Sequence, residues 1–225
     1  MTDAGGSTPA PRAKRGERAA ARRDALSGAG PTGEEPARNP GARGGVALFG
    51  EVLTAGLLIT LVGLAVATLP AALAAGIRHL RRYVAAEDSR LALFWADVRA
   101  AIVPGLAVGA VSAVIAGVLV FDILLARTGA LPGGIVIEIV GWILAGVLAV
   151  ALLSTAGAWT PERGWLGALR TVPAALRDDV PGALYLAATA VFVGVAVWAL
   201  VPLFIPAIGC AALAVVAIPE RRRAR

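Results

Sequence analysis

Residues 100–126 read AAIVPGLAVGAVSAVIAGVLVFDILLA, a run in which Asp122 is the only charged residue. A helix of about 20 apolar residues is long enough to cross the hydrocarbon core of a bilayer. Comparable apolar runs occupy residues 46–69, 134–158 and 182–218. The sequence therefore predicts an integral membrane protein with several crossings.

The composition supports the same prediction. The 225 residues are 58% hydrophobic and 16% charged, with a mean hydropathy of +0.77, whereas a soluble domain carries about 25% charged residues. The formal net charge is +6, but the basic residues lie in the N-terminal tail and beside the apolar runs. Because positive charge beside a span marks its cytoplasmic side, we expect no nucleic-acid partner.

Composition divides the chain into three parts. Residues 1–45 are rich in Gly, Pro and Arg and have few large apolar residues, so they are predicted to be a disordered tail. Residues 46–218 are predicted to form the transmembrane helical domain. Residues 219–225 read PERRRAR and are predicted to be a basic C-terminal tail on the cytoplasmic side.

The predicted fold is an all-α polytopic bundle with about five spans and two cytoplasmic amphipathic segments. Three spans cover residues 46–69, 100–126 and 134–158, and residues 182–218 form a hairpin that turns at VPLFIP. The arginines within residues 77–99 and 160–181 place these two connections in the cytoplasm. Five crossings with a cytoplasmic C-terminus put the N-terminus outside.

The first apolar run leaves an alternative open. If the N-terminal tail is cytoplasmic, residues 46–77 cannot cross once, and the run must fold back near residues 68–70. Such a break in the membrane is tolerated only where protein buries it.

The two cytoplasmic segments have apolar residues at helical spacing. In SRLALFWADVRAAI (residues 89–102), Phe94 and Val98 share one face, while Asp97 and Arg99 lie elsewhere on the helical wheel. In ERGWLGALRTVPAAL (residues 162–176), the apolar face includes Trp165 and Val172. Lipid contact and packing on the bundle both suit these patterns. The predicted membrane-interface anchors are Arg78, Arg81, Arg82, Trp95, Trp159 and Trp165.

Small residues recur at every fourth position of the second span, at Gly105, Gly109, Ala113 and Gly117. Such a stripe lets another helix approach closely in a membrane. We expect a buried face, packed within the chain against the span of residues 134–158 or, as the alternative, against a second copy.

Ionisable residues within spans are functional candidates because each is costly in hydrocarbon. Glu51, Asp122 and Glu138 are the three such residues, and the predicted topology places all of them near the outer side. They could form an outward cation or proton site, or lie at the interface paired with Arg127.

No pattern typical of catalysis or of cofactor binding is present. His79 is the only histidine, Lys14 the only lysine and Cys210 the only cysteine, so neither a histidine-based metal cluster nor a phosphate loop with its lysine can form within the spans. We therefore expect no catalytic residues, no cofactor, no metal and no enzymatic activity.

Residues 61–100 read LVGLAVATLPAALAAGIRHLRRYVAAEDSRLALFWADVRA. This order of an apolar helix ending in Leu-Pro, a small-residue run, a basic cluster, an acidic turn and an aromatic amphipathic helix resembles the YesL-like bacterial integral membrane proteins. The resemblance covers residues 47–218. It implies a small multi-pass protein of the bacterial plasma membrane, without an established activity, from a family often associated with carbohydrate uptake systems.

The expected function is a non-enzymatic membrane component, accessory to solute uptake, whose partners are the lipid bilayer and transporter subunits. The alternative is a small-solute or proton-coupled transporter that uses the outer acidic residues. The oligomeric state is left open.

Overall fold

The computed structural model describes residues 45–129 and 132–223, so the predicted disordered tail lies outside the described residues except for Gly45. Within these ranges the chain forms seven α-helices and no strand. The helices are α1 (Gly45–Gly63), α2 (Leu69–Val84), α3 (Leu91–Arg127), α4 (Gly134–Ala158), α5 (Gly164–Asp178), α6 (Val180–Ala199) and α7 (Phe204–Arg223).

Five helical segments are long and apolar enough to cross a membrane: α1, α3, α4, α6 and the segment Val201–Arg221, which covers most of α7. Their outer faces expose large apolar side chains, such as Val114 and Trp198, which are 66% and 88% exposed. Water does not accommodate such a surface, whereas lipid does. The prediction of an all-α polytopic membrane protein is confirmed.

The first apolar run folds back on itself. Helix α1 ends at Gly63, a 3₁₀ turn covers Val66–Thr68, and α2 returns antiparallel to α1. Leu69 lies beside Gly63, the Ile59 side chain lies beside Gly76, and Glu51 contacts His79. The prediction of a single crossing over residues 46–69 is therefore wrong, and the folded-back alternative is the observed arrangement.

Helix α2 can return through the bundle because its first two turns consist mostly of small residues. Every residue of PAALAAGI, residues 70–77, is buried. Helix α2 contacts α1, α3, α4 and α7. The hairpin turn before it lies at the middle of α3, where the Ala67 carbonyl oxygen occupies the place that a Cβ on Gly109 would need.

This hairpin corrects the predicted topology. The Arg81 guanidinium at the C-terminal end of α2 donates to the Gly157 carbonyl oxygen at the end of α4. Arg221 of α7 contacts Asp179 at the start of α6. Both described ends of the chain therefore lie at one end of the bundle, which we call the basic end, together with α5. The α3–α4 connection lies at the opposite end.

Helix α3 is one continuous helix of 37 residues. At 1.5 Å per residue it is about 55 Å long, which exceeds the roughly 30 Å of a hydrocarbon core. The amphipathic segment predicted at residues 89–102 and the span predicted at residues 100–126 are thus parts of a single helix. Pro104 lies inside this helix without ending it.

The small-residue stripe is buried over only half of its length. Gly105 packs against the Trp165 indole and Gly109 against Ala67, whereas no atom lies within 4 Å of a Cβ placed on Gly117. Ala113 is half-buried. The predicted packing of the stripe against α4 is wrong, because the hairpin turn and α5 occupy that face. Helix α4 instead contacts α3 where Gly141 meets Leu119 and Ile123.

The second half of the chain follows the predicted order. Helix α4 has the predicted bounds, and residues 182–218 form a hairpin that turns at Val201–Leu203. Helix α7 continues through Pro219 to Arg223. The predicted basic C-terminal tail of residues 219–225 therefore begins as helix.

Candidate functional site

Two arginines of α2 bind one carboxylate of α3. Arg78 and Arg82 are four residues apart, so they lie on the same face of the helix. Arg78 Nε is 3.1 Å from Asp97 Oδ1, and Arg82 Nη2 is 2.5 Å from Asp97 Oδ2. The Asp97 side chain is only 7% exposed. Each carboxylate oxygen has its own guanidinium, which offsets the cost of removing this charge from water.

A second polar contact joins α1 to α2. The His79 Nε2 atom is 2.5 Å from Glu51 Oε1, and the His79 ring is almost completely buried. Phe94 packs against this ring in a T-shaped arrangement, with a centroid distance of 6.3 Å. The contact fixes the start of α1 beside the end of α2.

We refer to Glu51, Arg78, His79, Arg82 and Asp97 as the charged cluster. Besides His79, the cluster contains two arginines and two carboxylates. Within the described residues, His79 Nδ1 and Arg82 Nη1 are buried without a hydrogen-bond partner. Removal of any one charged member would leave the others unbalanced in a poorly solvated place.

Two tryptophans, at the end of α4 and at the start of α5, pack beside the charged cluster. Trp159, directly after α4, lies 5.8 Å from Trp165 between ring centroids, and the Arg78 guanidinium lies 5.8 Å from the Trp159 centroid. Trp165 Nε1 donates to the Ala101 carbonyl oxygen at 3.0 Å. Gly164, with φ +65°, supplies the turn that brings Trp165 into this position.

The predicted membrane-interface anchors are corrected in part. Arg78 and Arg82 point at Asp97, and Trp159 and Trp165 are buried. The two arginines are mostly covered, with 23% and 16% of their side chains exposed. Arg81 is exposed and donates to the Gly157 carbonyl oxygen. Trp95 is 39% exposed, and the interface role of Arg81 and Trp95 stays a prediction.

Sequence reasoning missed Asp97 as a site residue. It lies on the buried side of α3, although its place on the helical wheel had suggested the polar face. The spacing of Arg78 and Arg82 could have revealed it, because two cations on one helix face require a nearby anion when that face is buried.

The three acidic residues predicted at the outer side do not come together. Glu51 lies in the charged cluster. Glu138 is 3.8 Å from Arg127 at the opposite end of the bundle, which is the predicted pairing. Asp122 is half-buried and makes no ion pair with any described residue. The prediction of a shared outer site is therefore wrong, since the fold-back of α1 carries Glu51 to the other end.

Another carboxylate organises the start of α6. Asp179 accepts a hydrogen bond from the Gly182 backbone N–H at 3.0 Å, and it is 3.2 Å from Arg221. The Arg221 guanidinium lies 4.8 Å from the centroid of the Tyr185 ring. Asp179 thus caps α6 and holds the end of α7.

Loop carboxylates at the basic end have altered acidity. The side-chain hydrogen bond from Arg90 lowers the pKa of Asp88. The pKa of Glu162 is also lowered, chiefly by a hydrogen bond from its own backbone N–H and then by one from the Thr160 hydroxyl. Both side chains are exposed, so the two pKa shifts reflect hydrogen bonds within the loops and not burial.

The described residues contain no group of three or more His, Cys, Asp or Glu residues that could hold a metal ion. The charged cluster pairs its members with one another, which locks α1, α2 and α3 together. Comparison of the chain with protein-family models, with curated proteins and with solved structures finds no match.

Proposed function

We propose that this chain is a non-enzymatic, YesL-like protein of the bacterial plasma membrane that serves as an accessory component of a solute-uptake system. In this proposal the basic end is cytoplasmic and binds a transporter subunit. Carbohydrate is the proposed solute class, by the resemblance of residues 61–100 to that family.

The observation that carries the proposal is the divided surface of α5. Trp165, Ala168 and Val172 face the bundle and are buried, whereas Leu166 and Leu169 are 69% and 48% exposed. Exposed leucines on an otherwise anchored helix at a membrane surface suit contact with a partner protein.

Helix α5 is held in place by contacts with the helices beneath it, as a surface that binds a partner protein should be. The hydrogen bond from Trp165 to Ala101 ties α5 to α3, and Asp97 ties α3 to α2. A partner that binds a preorganised surface loses little entropy in ordering it.

The geometry gives less support to the transporter alternative. It uses Glu51, Asp122 and Glu138 as acidic residues of the outer side, whereas Glu51 lies at the basic end. Glu138 is engaged with Arg127. The accessory role needs no such shared site.

Affinity purification of the full chain in mild detergent, from cells that take up the solute, tests the accessory role. We expect a subunit of an uptake transporter to co-purify, as identified by mass spectrometry. The double variant Leu166→Ala and Leu169→Ala should reduce its recovery by about fivefold or more, as for loss of an interface contact worth over 1 kcal/mol.

Ile143→Ala with Val147→Ala is the matched control, because both residues are about 60% exposed on α4. This pair should leave recovery unchanged. Recovery of the chain without any transporter subunit would overturn the proposal, as would equal losses with both double variants.

A further inference from the structure

An open groove runs between α3, α4 and α6. It consists of two adjoining cavities of about 470 Å³ and about 540 Å³. Both are lined by Trp142, Ala145, Ala149 and Trp198, so they form one continuous space. Each volume lies within the range of small-molecule sites, about 300–1,000 Å³.

Small residues keep this groove open. No heavy atom lies within 4 Å of a Cβ placed on Gly146 or on Gly194, although both glycines line the groove. By contrast, Gly141 on the same α4 helix lies directly against Ile123. Helices α4 and α6 therefore do not close on each other along the groove, and its apolar walls suit a hydrocarbon chain.

A cation lies at this groove. Arg127, the last residue of α3, lines the cavity that also contains Trp142 and Trp198. Its side chain is 62% exposed, and its ion pair with Glu138 is 3.8 Å long, beyond hydrogen-bond range. Arg127 donates no hydrogen bond to any described residue, so its guanidinium can still bind an anionic oxygen.

Tryptophan marks the same end of the groove. Trp198, the second-last residue of α6, is 88% exposed, and Trp142 is 59% exposed. Tryptophan favours the level of the lipid head groups at a membrane surface. An apolar groove with exposed tryptophans and a cation at one end complements a molecule that has an acyl chain and an anionic head.

We propose that this groove is a binding site for an anionic phospholipid. One acyl chain lies between α4 and α6, against Trp142 and Trp198, and the phosphate contacts Arg127. Charge complementarity at Arg127 selects a lipid as the occupant in place of a second copy of the chain. Glu138 opposes the anionic head and limits the affinity.

Quenching of tryptophan fluorescence tests the proposal. The full chain is reconstituted in phosphatidylcholine vesicles that contain a low, fixed fraction of phosphatidylglycerol. Bromine atoms, which quench tryptophan on contact, are placed on the acyl chains of either the phosphatidylglycerol or an equal amount of phosphatidylcholine. We expect about fivefold enrichment of phosphatidylglycerol at the groove, as for one arginine near an anionic surface.

The variants give effects of opposite sign. Arg127→Gln should reduce quenching by brominated phosphatidylglycerol to the level of phosphatidylcholine, whereas Glu138→Gln should increase it. Arg90→Gln is the matched control, since Arg90 is an exposed arginine of the basic end, and it should leave the quenching by both lipids unchanged.

Gly146→Leu fills the groove and should weaken quenching by both lipids. Trp142→Phe with Trp198→Phe should remove the headgroup-dependent part of the signal.

Equal quenching by the two brominated lipids in the unsubstituted chain would overturn the proposal. Unchanged phosphatidylglycerol quenching in Arg127→Gln would do the same. A second copy in the groove would shield Trp142 and Trp198 from both brominated lipids and give a dimer in detergent, which also contradicts lipid binding there.

Discussion

His79 Nε2 and Glu51 Oε1 lie 2.5 Å apart, and this contact places the start of α1 beside the end of α2. The first two helices therefore form a hairpin, in which the N-terminal end of α1 and the C-terminal end of α2 lie on the same side of the bundle. The side of the membrane on which each end lies can be measured directly.

Labelling of single cysteines from either side of the membrane should place residues 47 and 87 together and residue 128 opposite. The variants Ala47→Cys, Glu87→Cys and Thr128→Cys are made after replacement of Cys210, which is exposed. All three positions are exposed ends of helices or loops. Labelling of Ala47→Cys from the same side as Thr128→Cys would contradict the hairpin.

Asp97→Asn should destabilise the protein by about 3 kcal/mol, because it leaves Arg78 and Arg82 largely buried without a carboxylate. Unfolding in mixed detergent micelles measures the change. Asp122→Asn is the matched control on the same helix, and it should have an effect within about 0.5 kcal/mol. Equal effects from the two substitutions would show that Asp97 is not a structural counter-ion.

Gly109→Ala should cost about 2 kcal/mol or more, since the new Cβ overlaps the Ala67 carbonyl oxygen and the backbone must move. Gly117→Ala, two positions along the same stripe, meets open space and should be tolerated. Thermal unfolding of the two variants in the same detergent compares them. A tolerated Gly109→Ala would mean that the hairpin turn does not lie against α3.

Arg90→Gln should raise the pKa of the Asp88 carboxyl toward its ordinary value, because it removes the side-chain hydrogen bond that lowers this pKa. The folded pKa lies below the unfolded one, so the contact contributes stability above the unfolded pKa and loses it as the pH falls through the folded pKa. A carboxyl NMR titration measures the shift. Arg99→Gln is the control and should leave the Asp88 titration in place.

The lengths of the apolar runs, and the prolines and glycines between them, predicted the span of α4 and the hairpin of α6 and α7. They could not distinguish a helix that leaves the membrane after Pro70 from one that turns back, because both give an apolar run followed by arginines. The run of small residues from Ala71 to Gly76 was the available signal, since alanine and glycine suit burial between helices better than exposure to lipid.

The candidate site was predicted less well than the fold. The residue pattern marks Arg78, Arg82, Trp159 and Trp165 as candidates, but for an interface role. Their inward orientation depends on contacts between α2, α3 and α5 that are distant in sequence. No local pattern shows which face of α2 meets Asp97, so the pairing became visible only in three dimensions.

The enclosure of α2 has a consequence for biogenesis. Its neighbours include α1, made before it, and α7, the last of the described helices. While the ribosome is still translating residues 85–203, the translocon therefore has no finished cavity in which to place α2. Helix α2 can therefore reach its enclosed position only after α7 has been made. Truncation before α7 should leave the first hairpin exposed to quality-control proteases.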